Sequence, residues 1–187
     1  MIRSHAERLT MGITVKAFSA VLAAVLALYT SPSHAQPEGY VNVGSGAWKI
    51  SETRDPITDK GSAIAAIFAG QSGIAFKCDG KADNAIYIVF ASVKFLGGTT
   101  DNTNREVITR FDNDTPQTDI WHHYGNRAEL RGGARVAAFA RQIVAAKTFA
   151  IRATTFDGET VTAVIPVADG REAIERAYKA CGAVIPW

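Results

Sequence analysis

The chain has 187 residues, 47% of them hydrophobic and 20% charged, with a formal net charge of +2. That is enough chain to bury the core of one domain without staples. The near balance of charge excludes the basic stripe with which a nucleic-acid binder displaces counterions.

Residues 1–35 read as a secretory signal peptide. Arg3, Arg8 and Lys16 precede AFSAVLAAVLALY (17–29), and TSPSHA then places the small residues Ser33 and Ala35 at a cleavage point near Ala35. The apolar run of thirteen residues is too short to cross a bilayer, which takes roughly 20. Met11 offers a second start, because MGITVKAFSAV is itself a complete n-region and h-region. The first cysteine is Cys78, so none stands at the cleavage point to carry a lipid. The expected product is periplasmic or secreted, held to a membrane only where the signal peptide stays uncleaved. Three basic residues and one acid leave with 1–35, and seventeen residues of each sign remain. Residues 36–47, QPEGYVNVGSGA, are polar and glycine-rich, which predicts a mobile leader ahead of a single domain over 48–187.

Within that domain, AIAAIFA and IAFKCD are separated by the turn GQSG, and DGKADN separates the second from NAIYIVFASVKF (84–95), apolar on both alternating faces and hence a central strand. The three predict a meander. REVITRF, TDIWHHY, FAIRATTF and TVTAVIPV add strands, the last two joined by the hairpin signal DGE. Two helices interrupt this pattern. ARVAAFARQIVAAK carries Val136, Phe139, Ala140, Ile143 and Val144 on one face, predicting a helix over about 133–147. DGREAIERAYKACG predicts a second over about 170–181, with Asp169 as N-cap, Gly182 as stop, and Ala173, Ile174, Ala177, Tyr178 and Cys181 turned inward. The predicted fold class is α+β, mostly antiparallel sheet or sandwich with these two helices.

Export gives the two cysteines their meaning, since an even count in an oxidising compartment reads as disulfides. Cys78 and Cys181 are the only possible pair, and their bond would clamp the last helix to the sheet. Neither has the C-x-x-C arrangement or local base of a redox thiol.

In DPITD, Pro56 holds Asp55 out of the helical region. This predicts a turn capped by Asp55, with Asp55 and Asp59 as candidate partner contacts. Arg110 and Asp112 share a strand face and predict a structural ion pair or turn anchor. WHHYGNR supplies the other partner-binding candidates, Trp121, His122, His123, Tyr124 and Arg127. Its histidines, adjacent on a strand, point to opposite faces, so one metal cannot easily take both, and no metal or cofactor is expected. No nucleophile elbow, H-E-x-x-H or phosphate-binding glycine loop occurs. A dispersed triad such as Ser72, His122 and Asp112, or a hydrolase of cell-wall material using Asp112, Asp119 and a histidine, is the enzymatic alternative.

The order WKISETRDPITD, KCDGKADNAIYIVF, TRFDNDTPQTDIW, an amphipathic helix and AIERAYKACG resembles a family of small exported bacterial proteins. Its best-named branch is the VasI or TagO accessory proteins of type VI secretion clusters. The matching positions are Trp48, Asp55, Pro56, Asp59, Cys78, Arg110, Asp112, Cys181 and Gly182, spanning nearly the whole mature chain. The resemblance implies a non-enzymatic periplasmic accessory or binding role, with an envelope or secretion-apparatus protein as partner and no nucleic acid.

Overall fold

The domain is one antiparallel sheet curled around two helices, and the period-2 pattern of its strands explains why. In order, β1 is Val41–Asn42, β2 Lys49–Arg54, β3 Gly61–Ala69, β4 Ser72–Cys78, β5 Tyr87–Ser92, β6 Thr103–Phe111, β7 Gln117–Tyr124 and β8 Arg127–Leu130. Helix α1, Gly133–Ala145, follows, then β9 Thr148–Thr154, β10 Thr160–Pro166 and helix α2, Arg171–Ala180. The structure is a computed structural model that describes residues 41–42, 47–81, 85–97 and 103–187. The described residues belong to one compact unit. The signal peptide expected over 1–35 lies outside them.

The strand order is β1-β2-β3-β4-β5-β8-β7-β6-β9-β10, every pair antiparallel. The α+β class, the β3-β4-β5 meander and the central place of β5 stand as read from the sequence. The sheet curls far enough to bring β10 towards β3 and β4. Alternate side chains therefore face either the helices or the outside. Ile74, Phe76, Ile88, Phe90, Trp121, Ile151 and their neighbours fill the inner face, all buried. Helix α1 lays Phe139 at its centre, with ring centroids 5.1 Å from Phe111, 5.2 Å from Phe149, 5.9 Å from Trp121 and 6.2 Å from Phe76. One helix residue thus joins strands β4, β6, β7 and β9.

Helix α2 packs on β2, β3 and β4, burying Ala173, Ile174, Ala177 and Tyr178. Cys181, its C-cap, is bonded to Cys78 on β4, with Cα atoms 6.2 Å apart and a sequence separation of 103. A closed loop of that length removes up to ~4.7 kcal/mol of unfolded-chain entropy in the simplest account. Gly182 at φ 66° ends the helix in the left-handed conformation expected of its stop.

Several boundaries differ from the sequence expectation. The leader is ordered in part, because Val41 and Asn42 pair with Ile50 and Lys49. The central strand ends at Ser92, where the Ser92 amide donates to Asn126 O and Val93 to Gln71 O, turning the chain away from the ladder. Asp169 is not the N-cap of α2. It sits at φ 63°, and Gly170 takes the cap position without a side-chain hydrogen bond. A Cβ on Gly170 would stand 2.6 Å from the Trp48 ring. That ring is fully buried and donates its Nε1–H to Val167 O at 3.1 Å, so close approach rather than capping chemistry dictates the residue.

Candidate functional site

Among the described residues both helices lie on the inner face, and the outer face of β8-β7-β6-β9-β10 is where reachable chemistry collects. Strand β7 divides the sequence-selected cluster between the two faces. Trp121 and His123 point inward, while Ile120, His122 and Tyr124 point outward. Trp121 is buried against Phe139 and cannot serve the partner contact expected of it. His123 is fully buried too, with no partner for Nδ1 or Nε2 among the described residues, and leaves the list of partner contacts for the same reason. Burial, reinforced by the charge of Arg105 and by His122, lowers its pKa to about 4.

His122 stays on the outside, opposite Asn104 on β6 and Glu129 on β8. These three, with Ile120, Arg131 and Arg135, line an open groove of about 440 Å³. Glu129 is only 7% exposed, a burial that a carboxylate tolerates when it is paired and hydrogen-bonded. Arg131 supplies that pairing through Nε at 2.9 Å and Nη2 at 2.7 Å, and Arg127 Nε stands 3.4 Å from the other oxygen. The Arg131 guanidinium also lies 4.2 Å from the Tyr87 ring centroid, and that of Arg127 4.9 Å from Tyr124. Arg135 holds Asp119 through Nε at 3.2 Å and Nη2 at 2.6 Å, and reaches Ile120 O. The walls of the groove are thus arginines fixed by carboxylates. Tyr124 and Arg127, two of the candidate partner contacts, are reachable from solvent, whereas Glu129, Arg131, Arg135 and Asn104 were not selected from the sequence.

A second groove of about 220 Å³ opens on the same face between β6 and β9, lined by Ile108, Arg110, Pro116, Ala150, Arg152 and Thr162 among others. The expected Arg110–Asp112 pair does not form. Asp112 accepts hydrogen bonds from the amides of Thr148 and Lys147 at 2.8 and 3.0 Å and from Thr148 Oγ1 at 3.1 Å. These bonds, the Thr148 amide first, lower its pKa. Asp112 therefore anchors the α1–β9 junction, while Arg110 turns to Asn113. At the far end of the sheet, Asp55 caps its own turn, accepting from the amides of Ile57 and Thr58 at 2.8 and 2.7 Å, which lowers its pKa, Thr58 contributing most. Asp59 pairs with Arg54 at 3.2 Å. Both carboxylates stand on an exposed turn distant in the sheet order from either groove.

The dispersed triad is not assembled. Ser72 shares the inward phase of Ile74 and Phe76 on β4, His122 faces outward on β7, and Asp112 is engaged at the α1–β9 junction. Asp119, the other acid considered for hydrolysis, is held by Arg135. Among the described residues no three His, Cys, Asp or Glu side chains converge on a metal position, and no helix is long and apolar enough to cross a membrane. No family profile, curated protein or solved structure matches this chain. The disulfide points to an oxidising compartment.

Proposed function

We propose that this chain is an exported, non-catalytic accessory protein of the periplasm or cell surface, which binds another envelope protein through the outer face of β8-β7-β6-β9-β10. The carrying observation is the apolar exposure of that face. Ile108, Ile120 and Val164 stand 37, 46 and 62% exposed among arginines, on the side of the strands that no described element covers. Exposed apolar residues interleaved with arginine are the composition of an interface. The ordered motifs from Trp48 to Gly182 support a place among the accessory proteins of type VI secretion, and the paired cysteines support export.

The test is crosslinked affinity capture of the full chain, tagged at its C terminus and exported by its cells, beside an Ile120→Glu variant. A partner captured by the natural protein and lost in the variant is the expected result. Equal capture by both removes the face from the function.

A further inference from the structure

The arginines of the domain divide into two groups by what neutralises them. Arg54, Arg127, Arg131, Arg135, Arg171 and Arg176 each lie within 4.0 Å of a carboxylate. Two others on the outer face do not. Among the described residues Arg110 meets only Asn113 Oδ1, at a long 3.5 Å, and its buried Nε has no acceptor there. Arg152 meets only the Thr162 hydroxyl among the described residues, at 3.3 Å.

The register makes these two neighbours. Arg110 pairs across the ladder with Ala150, and Ile108 with Arg152, so the arginines are diagonal partners on one face. Long side chains at such positions meet, and like charges there repel. No carboxylate among the described residues pairs with either, although Glu106 stands diagonal to Arg152 on the other side of Ile108. The Asp112 carboxylate is engaged by Lys147 and Thr148, and Glu106, outward on β6 beyond Ile108, makes no ion pair among the described residues. A buried N–H without an acceptor beside an unpaired guanidinium is costly unless an oxyanion takes both.

The surroundings favour an anion carried on an apolar chain. The groove is lined by Ile108 and Pro116 beside the two arginines, and exposed Val164 pairs with Ala150 on the adjoining strand. We propose that this groove recognises an acidic segment of the partner protein, one Asp or Glu carboxylate being shared between Arg110 and Arg152 while neighbouring apolar side chains rest on Ile108 and Val164. This rests on the outer face being the protein-binding surface and specifies what binds there.

The experiment titrates the isotope-labelled exported protein with the blocked hexapeptide Leu-Glu-Val-Asp-Leu-Glu and with its neutral twin Leu-Gln-Val-Asn-Leu-Gln, following backbone amides and arginine Nε–H signals. The acidic peptide is expected to shift Arg110 and Arg152 saturably, and Arg152→Gln, at an exposed position, to weaken it about tenfold. Equal shifts by the neutral peptide overturn the proposal, as does unchanged binding in Arg152→Gln. Inorganic phosphate that occupies the arginines without competition from the peptide overturns it as well, leaving a small-anion site. In the capture experiment, loss of the partner in Ile120→Glu but not in Arg152→Gln keeps the binding face and defeats this inference. Capture unaffected by either variant defeats both.

Discussion

The two faces of the same strands follow different rules. On the inner face, Phe139 meets four aromatic rings, Trp48 has its one hydrogen bond, and Cys78 is bonded to Cys181. On the outer face, Glu129 is satisfied by arginines, but Arg110 and Arg152 are left with weak neutral contacts. Strand β7 carries both regimes at adjacent positions, with Trp121 and His123 inside and Ile120 and His122 outside. The packed core and the proposed recognition surface are therefore separated by a single-residue step along the chain rather than by distance in the fold.

The inner face should break first and hardest. Phe139→Ala removes the ring that joins four strands, and a loss of about 4 kcal/mol is expected from the cavity and transfer terms together, read from urea unfolding. A loss below about 1 kcal/mol would show that α1 is not the keystone of the core. Replacing Cys78 and Cys181 together by serine should cost about 3 kcal/mol, since it returns the freedom of a 103-residue loop to the unfolded chain. Non-reducing peptide mapping of exported protein should find the two cysteines linked, and two free thiols would defeat the clamp.

The sequence made the inner face far more legible than the outer. Apolar periodicity is dense there, so the helix faces around Phe139 and Ala177 and the strand cores around Phe76 and Ile88 follow from spacing. The pairing of Cys78 with Cys181 follows from having two cysteines in a chain expected to be exported. Strand β8 was missed although its hairpin signal is present. Gly125 and Asn126 form a two-residue loop between Tyr124 and Arg127, but RAEL alone lacks the apolar content of a strand. The candidate site failed for a related reason. The pleat puts the two adjacent histidines on opposite faces, but WHHY alone does not say which face is the core, and the fold sends Trp121 and His123 into it. Arg110 and Arg152 become neighbours only through the pairing of β6 with β9, and Arg131 and Arg135 line one groove from the end of β8 and from α1, segments the sequence does not show to be adjacent. Asp112 shows the same limit, because its partners at Lys147 and Thr148 are set by where α1 ends.

His123 sharpens the comparison through pH. Its folded pKa, held near 4 chiefly by burial, lies below the ordinary value of about 6.5. Between those values the unfolded chain binds more protons than the folded one, so stability is full above about pH 6.5 and falls as pH drops towards 4. The loss across that window is on the order of 3 kcal/mol if the ring stays buried and unpartnered. His123→Phe, measured by urea unfolding from pH 7.5 to 4.5, should flatten the slope relative to the natural protein. Identical slopes would mean that His123 gains water and a proton without cost.

The smallest expected effect on stability is the one that most directly separates the two faces. Ile120 is 46% exposed and adjoins Trp121, which is buried, so neighbouring substitutions on β7 should have opposite consequences. Ile120→Glu removes no buried contact of the aromatic core and should change unfolding free energy by no more than about 0.5 kcal/mol, the usual range for a surface site. Trp121→Ala, one residue on, should cost several times more by opening the space against Phe139. If partner capture is lost in Ile120→Glu while its unfolding curve overlays that of the natural protein, the loss cannot come from a damaged fold and must come from the face itself. Should the glutamate destabilise the protein as much as Trp121→Ala does, the two sides of β7 are not independent, and the outer face owes its shape to the packing beneath it.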